Sequence, residues 1–394
     1  MVNRYLHLTP LQNALSILKN SFNIPDGREK ILVTEAVGRV IAVPVYARYS
    51  VPEVNLAAMD GIAVRSADTL CASDRKPVLL DHVARVNTGN IIPQGFDAVI
   101  MIEDTWETGH GFQIRKPAPP NQHIRSSGED IVKEQLVLPV GHQVRPFDIG
   151  ALATYGVTEI EVRTVRVGII PTGSELVPLG VRPAPGQVVE SNSVMAQVYL
   201  ESMGAHCIHY PITRDEPELI AETLKEAVRS NDLVLISAGS SAGTRDFTAG
   251  VISSLGELLF HGVAIRPGKP VMLGRIGGKP VLGMPGYPIA AQTILREFAA
   301  PLLEHWGFAP VPRHTMVTRI SGTITSDPGF DDFVPVYIGR VGDSCWGAPE
   351  SRGSSAQMAT LRANGYTHIP PPLEGFEADT EVEVVLTTDP ARIN

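Results

Sequence analysis

The sequence predicts a multidomain α/β-plus-β chain, and three observations carry that reading. Its 394 residues exceed one ordinary domain, and at ~150 residues per domain two or three are expected. Between residues 166 and about 306, apolar runs of strand length alternate with amphipathic helical stretches, the signature of a parallel α/β sheet. Residues 45–138, and the chain beyond Pro310, consist instead of short β-like pieces broken by Pro and Gly turns. Glycine (36) and proline (32) run above average usage, which fits several small loop-rich modules and excludes a coiled coil or a collagenous rod.

Taken in chain order, Leu11, Ala14, Leu15 and Leu18 fall at i, i+3, i+4 and i+7, one apolar face of a helix. VARVNTGN, FDAVIMIEDT and FQIRKP then read as short strands. The bridge LPVGHQVRPFDIGALATYGVTEIEV is spaced for a return to the first region. We therefore expect 1–44 and 139–165 to form one discontinuous domain, 45–138 a β-rich domain, 166–308 an α/β domain and 309–394 a small all-β domain. Within the α/β region VRVGII is a strand. Asn192 and Ser193 are placed to cap a helix with Met195, Val198, Tyr199 and Met203 on one face, ended by Gly204. HCIHYPI is the next strand, Ile220, Leu224, Ala227 and Val228 stripe a second helix, and LVLIS is a buried strand. Ala291, Ile294, Leu295, Phe298 and Leu302 stripe a later helix.

Composition narrows the function classes. The formal charge of −9 comes from scattered acids, so no basic footprint for nucleic acid is present, and an anionic ligand must be held by a local site. The three cysteines, Cys71, Cys207 and Cys345, form neither a metal spacing nor a disulfide framework, which fits a reducing cytoplasm. The amino-terminal helix lacks the apolar stretch of a signal peptide, and runs such as AVIMI are strand-sized. A soluble cytoplasmic protein is expected.

The chemistry concentrates in loops that follow the expected strands of the α/β region, where open parallel sheets take ligands. PTGSEL brings Thr172, Gly173, Ser174 and Glu175; AGSSAGTRDF brings Gly239, Ser240, Ser241, Gly243 and Asp246; RPGKP brings Arg266 and Lys269; and PGYP brings Tyr287 at a helix start. Gly/Ser loops expose backbone N–H groups to phosphate oxygens, and Arg266 and Lys269 add full charge. Glu175, Asp215 and Asp246 offer carboxylates to a hard divalent cation such as Mg²⁺. Each loop alone also reads as turn chemistry, Asp246 as a cap and the two cations as surface charges; four such loops at successive strand ends favour a ligand site. Neither a Walker pattern nor GxGxxG is present. On loop chemistry alone, a Mg²⁺-dependent nucleotide transferase is the reading. In the β-rich region Met59-Asp60-Gly61 and Asn87-Thr88-Gly89 read first as plain turns, and Glu129 and Asp130 as surface acids.

Together the strings AMDGIAV, NTGNIIPQGFDAVIMIED, IRSSGEDI, PTGSELV, ESNSVM, ISAGSSAGTRDF, RPGKP, GMPGYP and RGSSAQMATLRANGYTHIP resemble, in order and over nearly the whole chain, the molybdopterin molybdenumtransferase family of the MoeA and gephyrin E-domain type. The resemblance implies an elongated, L-shaped homodimer of four domains: a linker domain, a β-rich domain, a molybdopterin-binding α/β domain and a carboxy-terminal β-barrel. It implies Mg²⁺-dependent insertion of molybdate, or tungstate, into adenylylated molybdopterin with release of AMP, the substrate coming from an upstream molybdopterin adenylyltransferase. Asp60, Thr88 and Asp130 would face the α/β domain of the partner subunit. Glu175, Asp215 and Asp246 match the family's functional acids, and Gly239, Ser241 and Gly243 its pterin-phosphate loop. Arg266 replaces a usual Lys, while Lys269 and Pro270 match the motif outright. Ser354 and Ser355 match the barrel serines near the oxyanion pocket. The sequence also departs from the family pattern: Tyr287 stands for Asn, Ala290 for Ser, Pro335 for a common Arg, Ala238 for the first Gly of a pair, and Val54 and Ala57 for Asp and Ser. These departures motivate an alternative, a paralogue that binds molybdopterin as a carrier or scaffold.

Overall fold

The computed structural model describes residues 8–238, 247–350, 353 and 357–393, and it divides into two compact units. One comprises Met1–Glu29, Gly38–Val40 and Arg163–Asn394; the other comprises Lys30–Val37 and Ile41–Val162.

The first unit opens with helix α1 (Leu11–Asn20), which buries Leu11, Ala14 and Leu18 as its periodicity predicts. These residues join a large core with the central sheet. The sheet contains β1 (Arg166–Ile170), β2 (His206–His209), β3 (Leu233–Ala238), β4 (Glu257–His261), β5 (Met272–Ile276) and β6 (Lys279–Pro285), in the order β2-β1-β3-β6-β5-β4. The four strands β2, β1, β3 and β6 are parallel, the arrangement expected from the alternating pattern. On one side the sheet is extended by antiparallel strands, β5 against β6 and β4 against β5. The cause is local. Gly277 and Gly278 sit at φ 58° and 79° and turn the chain in two residues, a hairpin signal that the strand-helix alternation overlooked.

Helix α2 (Asn192–Ser202) corrects the sequence reading in two respects. Ala196 and Leu200 are buried, Met203 is buried and Met195 and Tyr199 pack against the same core as expected, but Val198 is 65% exposed. The small Ala196 side chain lies inward where larger residues were expected. Asn192 and Ser193 are its first, buried residues, the N-cap being Ser191, and it is the Glu190 carboxylate that accepts from Ser193 N at 2.8 Å. Helix α3 (Pro217–Ser230) buries Ile220, Leu224, Ala227 and Val228 as its spacing predicts. Helix α4 (Thr248–Leu255) follows. The last helical run joins α5 (Pro288–Ile294), a π-helical turn at Leu295–Ala299 and α6 (Ala300–His305). Its predicted stripe of Ala291, Ile294, Leu295, Phe298 and Leu302 is buried throughout.

Beyond this run, β7 (Thr315–Ile320), β8 (Asp331–Val341), β9 (Ser344–Pro349), β10 (Gly365–Ile369) and β11 (Glu381–Leu386) pair in the order β8-β9-β7-β11-β10, and β10 pairs with β8 to close a barrel. Val334, Val336, Ile338, Val382, Val384 and Leu386 fill it. Closure removes the unpaired edges that an open sheet of this size would expose. The short strand Ile265–Arg266 pairs in parallel with Asp331 and Asp332 of β8, so the α/β layer and the barrel share a ladder.

In the second unit, strand Gly61–Val64 lies between Ala84–Val86 and Ala98–Met101 and is buried on both faces. Ile62 and Val64 enter one core with Ile100 and Phe112, and Ala63 enters another with Val86 and Val99. A third core gathers Val33, Ala36, Ile41 and Val45 with Leu138, Val144, Leu152 and Val157, side chains from two stretches far apart in the chain.

Candidate functional site

The strand-end loops of the α/β layer are tied to one another by hydrogen bonds. Thr172 is buried, and its hydroxyl donates to the Ser237 carbonyl at 2.7 Å, linking the loop after β1 to the end of β3. Thr172 also bridges Thr213 in parallel, and Gly173 N donates to Thr213 O at 3.1 Å. One residue further, Ser174 N donates to Asp215 Oδ2 at 3.2 Å, and Asp215 N donates to Ser174 Oγ at 3.4 Å. Gly173 is required here. Its φ is 150°, and a Cβ would stand 2.8 Å from Leu176 Cγ and 2.9 Å from Glu175 Oε1. Thr172, Gly173, Glu175 and Asp215 are thus brought to neighbouring positions at the carboxyl ends of adjacent strands.

Glu175 and Asp215 supply hard oxygen donors on two loops locked together, a donor set suited to Mg²⁺ when phosphate and water oxygens complete the shell. Asp246, the third acid of that set, and Gly239, Ser241, Gly243, Ser354 and Ser355 lie outside the described residues. Among the described residues, no group of three His, Cys, Asp or Glu is placed to hold a metal ion.

Next to the end of β6, a cleft of about 490 Å³ opens between the α/β layer and the barrel. Arg266, Lys269 and Pro270 form one wall, and Tyr287 and Ala290, at the start of α5, form another. The barrel contributes Asp327, Asp332, Phe333 and Pro335. Three positions where the sequence departs from the family pattern, Tyr287, Ala290 and Pro335, therefore line one space. Tyr287 is exposed and Ala290 is buried. Gly268 turns the RPGKP loop at φ 125°, where a Cβ would meet Ile294 Cδ1 at 2.8 Å. Its first cation is engaged: Arg266 Nη1 lies 2.6 Å from Asp327 Oδ2, and its guanidinium stacks 3.9 Å from the centroid of Phe330. Among the described residues, the exposed Lys269 makes no side-chain hydrogen bond or ion pair. Asp327, Phe330 and the buried Asp332 escaped the sequence reading, because SDPGFDD carries only the PG signal of a turn.

Asp60, Thr88 and Asp130 belong to the second unit. Thr88 N donates to Asp60 Oδ1 at 2.6 Å, and this bond holds the Asp60 carboxyl below the usual carboxylate range. Gly89 N donates to Ala57 O at 2.8 Å, so the Asn87–Asn90 turn is fastened to the AMDG segment. Asp130 accepts from the Tyr155 hydroxyl at 3.0 Å. Burial first, and the Asp130 hydrogen bond second, raise the Tyr155 hydroxyl above its ordinary value. Asp130 N is pinned to Val51 O at 3.0 Å. All three side chains are exposed and ordered by neighbours on adjoining loops.

Fold and site together define a class: multidomain proteins in which an α/β layer presents linked strand-end loops beside a small closed barrel. Comparison with known proteins places the chain within it. The model of the MoeA N-terminal region (domain I and II) matches residues 9–156, that of a probable molybdopterin binding domain residues 168–305, and that of the MoeA C-terminal region (domain IV) residues 318–387. A putative molybdopterin biosynthesis protein of Methanocaldococcus jannaschii is 30% identical, over 96% of this chain and 98% of its own length. A molybdopterin molybdenumtransferase of Haemophilus influenzae is 32% identical, over 74% of this chain and 76% of its own. The solved MoeA protein of Pyrococcus horikoshii superposes with a TM-score of 0.83 at 32% identity, covering 97% of this chain and 100% of that one. The chain belongs to the MoeA family.

Proposed function

We propose that this chain is a molybdopterin molybdenumtransferase of molybdenum cofactor biosynthesis, catalysing Mg²⁺-dependent insertion of molybdate or tungstate into adenylylated molybdopterin with release of AMP. The observation that carries the reading is that two kinds of site follow the carboxyl ends of parallel strands of one sheet. Two hydrogen-bonded loops carrying the carboxylates of Glu175 and Asp215 suit the cation of a phosphoanhydride, and a cleft bearing Lys269 suits an oxyanion. Membership of the MoeA family supports it.

In this reading Glu175, Asp215 and Asp246 hold Mg²⁺, which when bound neutralises charge on the phosphoanhydride. Gly239, Ser241 and Gly243 offer N–H groups to the phosphates, while Thr172 and Gly173, bonded to Ser237 O and Thr213 O, tie the described strand ends together. Lys269, with Arg266 and Pro270 beside it, Ser354 and Ser355 line the oxyanion end. Asp60, Thr88 and Asp130 act from the partner subunit of a homodimer, and an upstream adenylyltransferase delivers the substrate. We further propose that the chain is organised as four domains, 1–44 with 139–165, 45–138, 166–308 and 309–394.

The test is AMP release from adenylylated molybdopterin with Mg²⁺ and each oxyanion in parallel. Release with either supports the proposal; none with both, beside a reference enzyme that turns over, overturns it. Asp246→Asn should abolish metal-dependent turnover while leaving the thermal midpoint unchanged, and full activity in that variant would move the cation elsewhere. A second reading, molybdopterin carriage without turnover, is favoured by Tyr287, Ala290 and Pro335 lining the cleft. Tight molybdopterin binding with no AMP release would select it.

A further inference from the structure

The cleft described above carries its own counter-charge. Arg266 and Lys269 face Asp327 and Asp332 around one space, so two cations are matched by two carboxylates. The matching is not diffuse. Asp327 Oδ2 lies 2.6 Å from Arg266 Nη1, and the planar guanidinium is sandwiched onto Phe330 at 3.9 Å. A planar guanidinium can lie flat on the ring while one of its edge N–H groups meets the carboxylate, which a compact ammonium group cannot do.

Although Asp327 is exposed, its loop is pinned at several points. Ser326 N donates to Glu374 O at 2.7 Å, and Gly329 N donates to Pro371 O at 2.8 Å. Ser326 Oγ donates to the buried Asp332 at 2.9 Å, and Asp331 N donates to Ala264 O at 2.9 Å. Arg266 itself sits in the parallel ladder opposite Asp332. The backbone that carries each partner of the ion pair is therefore held, while the pairing side chains themselves stay open to solvent and to exchange.

We propose that Asp327 is an affinity-setting residue of the cleft, an internal anion that occupies Arg266 and that an incoming oxyanion must displace. Phe330 keeps the guanidinium in place during the exchange, so the site is vacated without collapsing. The consequence is one displacement cost, shared by every oxyanion that takes Arg266. A dianion, which gains most from Arg266 and Lys269 together, competes with Asp327 better than a monoanion of similar size.

The inference rests on the reading of this cleft as the oxyanion site, and direct binding separates the two. Calorimetric titration of the full-length protein with molybdate, tungstate and, as a monoanion, perchlorate needs no turnover. Asp327→Asn, which keeps the shape and removes the charge, should bind both dianions about twofold to fivefold more tightly, the size expected for releasing one partly exposed ion pair. Perchlorate binding should tighten by the same factor, because both kinds of anion are freed of the same competitor. Adding Arg266→Ala to Asp327→Asn should cancel the gain. Unchanged or weaker dianion binding in Asp327→Asn overturns the proposal, as does a gain that survives loss of Arg266. If the gain appears while no AMP is released, the gate stands and the transferase reading fails.

Discussion

Asp148 shows how much a single side chain does in this chain. It is buried at the start of the helix Pro146–Thr154, accepts from Arg145 N at 2.8 Å, pairs with the Arg145 guanidinium at 2.8 Å and lies 2.6 Å from His142 Nε2. The Arg145 hydrogen bond outweighs burial, so the carboxyl is held far below the usual carboxylate range. A carboxyl with a depressed folded-state pKa contributes stability that is present above its unfolded value and lost as pH falls through the folded one. Asp148→Asn should therefore lower stability by about 1–3 kcal/mol at pH 7. The gap to the parent in chemical denaturation should narrow below about pH 4; a gap independent of pH would contradict the assignment. Cys207 offers a second test at this scale. Burial, reinforced by Glu201, pushes its thiol up to about 12, whereas Cys71 is exposed. Thiol-directed labelling of the native protein at pH 8 should modify Cys71 first and leave Cys207 protected, with mass mapping of the labelled peptides as the readout.

Among elements, the strand Gly61–Val64 makes clear why a recognisable string need not be a site throughout. A Cβ on Gly61 would stand 1.9 Å from Ile100 O, so glycine is demanded by strand pairing as the chain leaves Asp60. Gly61→Ala should cost about 2–4 kcal/mol and separate the strands, visible as a lowered denaturation midpoint. The loop after β1 is the contrasting case. Thr172→Val should lose the bond to Ser237 O for about 1 kcal/mol of stability, yet loosen the hold on the loops that carry Glu175 and Asp215. Weaker Mg²⁺-dependent nucleotide binding with a nearly unchanged midpoint is the expected pattern. The helices α1 and α3 and the run through α5 and α6 were legible from spacing, because large apolar residues recur at helical period. Helix α2 was legible in part: Met195, Tyr199 and Met203 pack as their spacing predicts, while Val198 is exposed and Ala196 and Leu200 take core positions.

At the scale of the whole molecule, the α/β layer and the barrel are not independent. Phe298 is fully buried beside Phe260 in a core that also takes in Leu18 of α1, Trp306, and Phe333 and Tyr366 of the barrel. Phe298→Ala should cost about 3–5 kcal/mol. Trp306 lies in that core and Trp346 on β9, so their fluorescence should report one common transition in denaturant. Separate midpoints would show that the barrel unfolds alone.

By itself the sequence determined the α/β layer, the β-rich texture on either side of it and the strand-end position of the PTGSEL loop; RPGKP, expected at another end of that sheet, instead starts in the short strand Ile265–Arg266, which pairs with the barrel. Periodicity and turn chemistry are local, and they survive being read one residue after another. The antiparallel side of the sheet was also written locally, in Gly277-Gly278, but was masked by the stronger alternating pattern. What only the tertiary structure decided is the company each loop keeps. Thr172 reaches Ser237, Ser174 reaches Asp215, and Arg266 meets Asp327 and Phe330, all across separations that no window of sequence spans. A charge counted as a ligand cation in the sequence is already paired in the fold, because electrostatics depends on distance in space and the sequence records only distance along the chain.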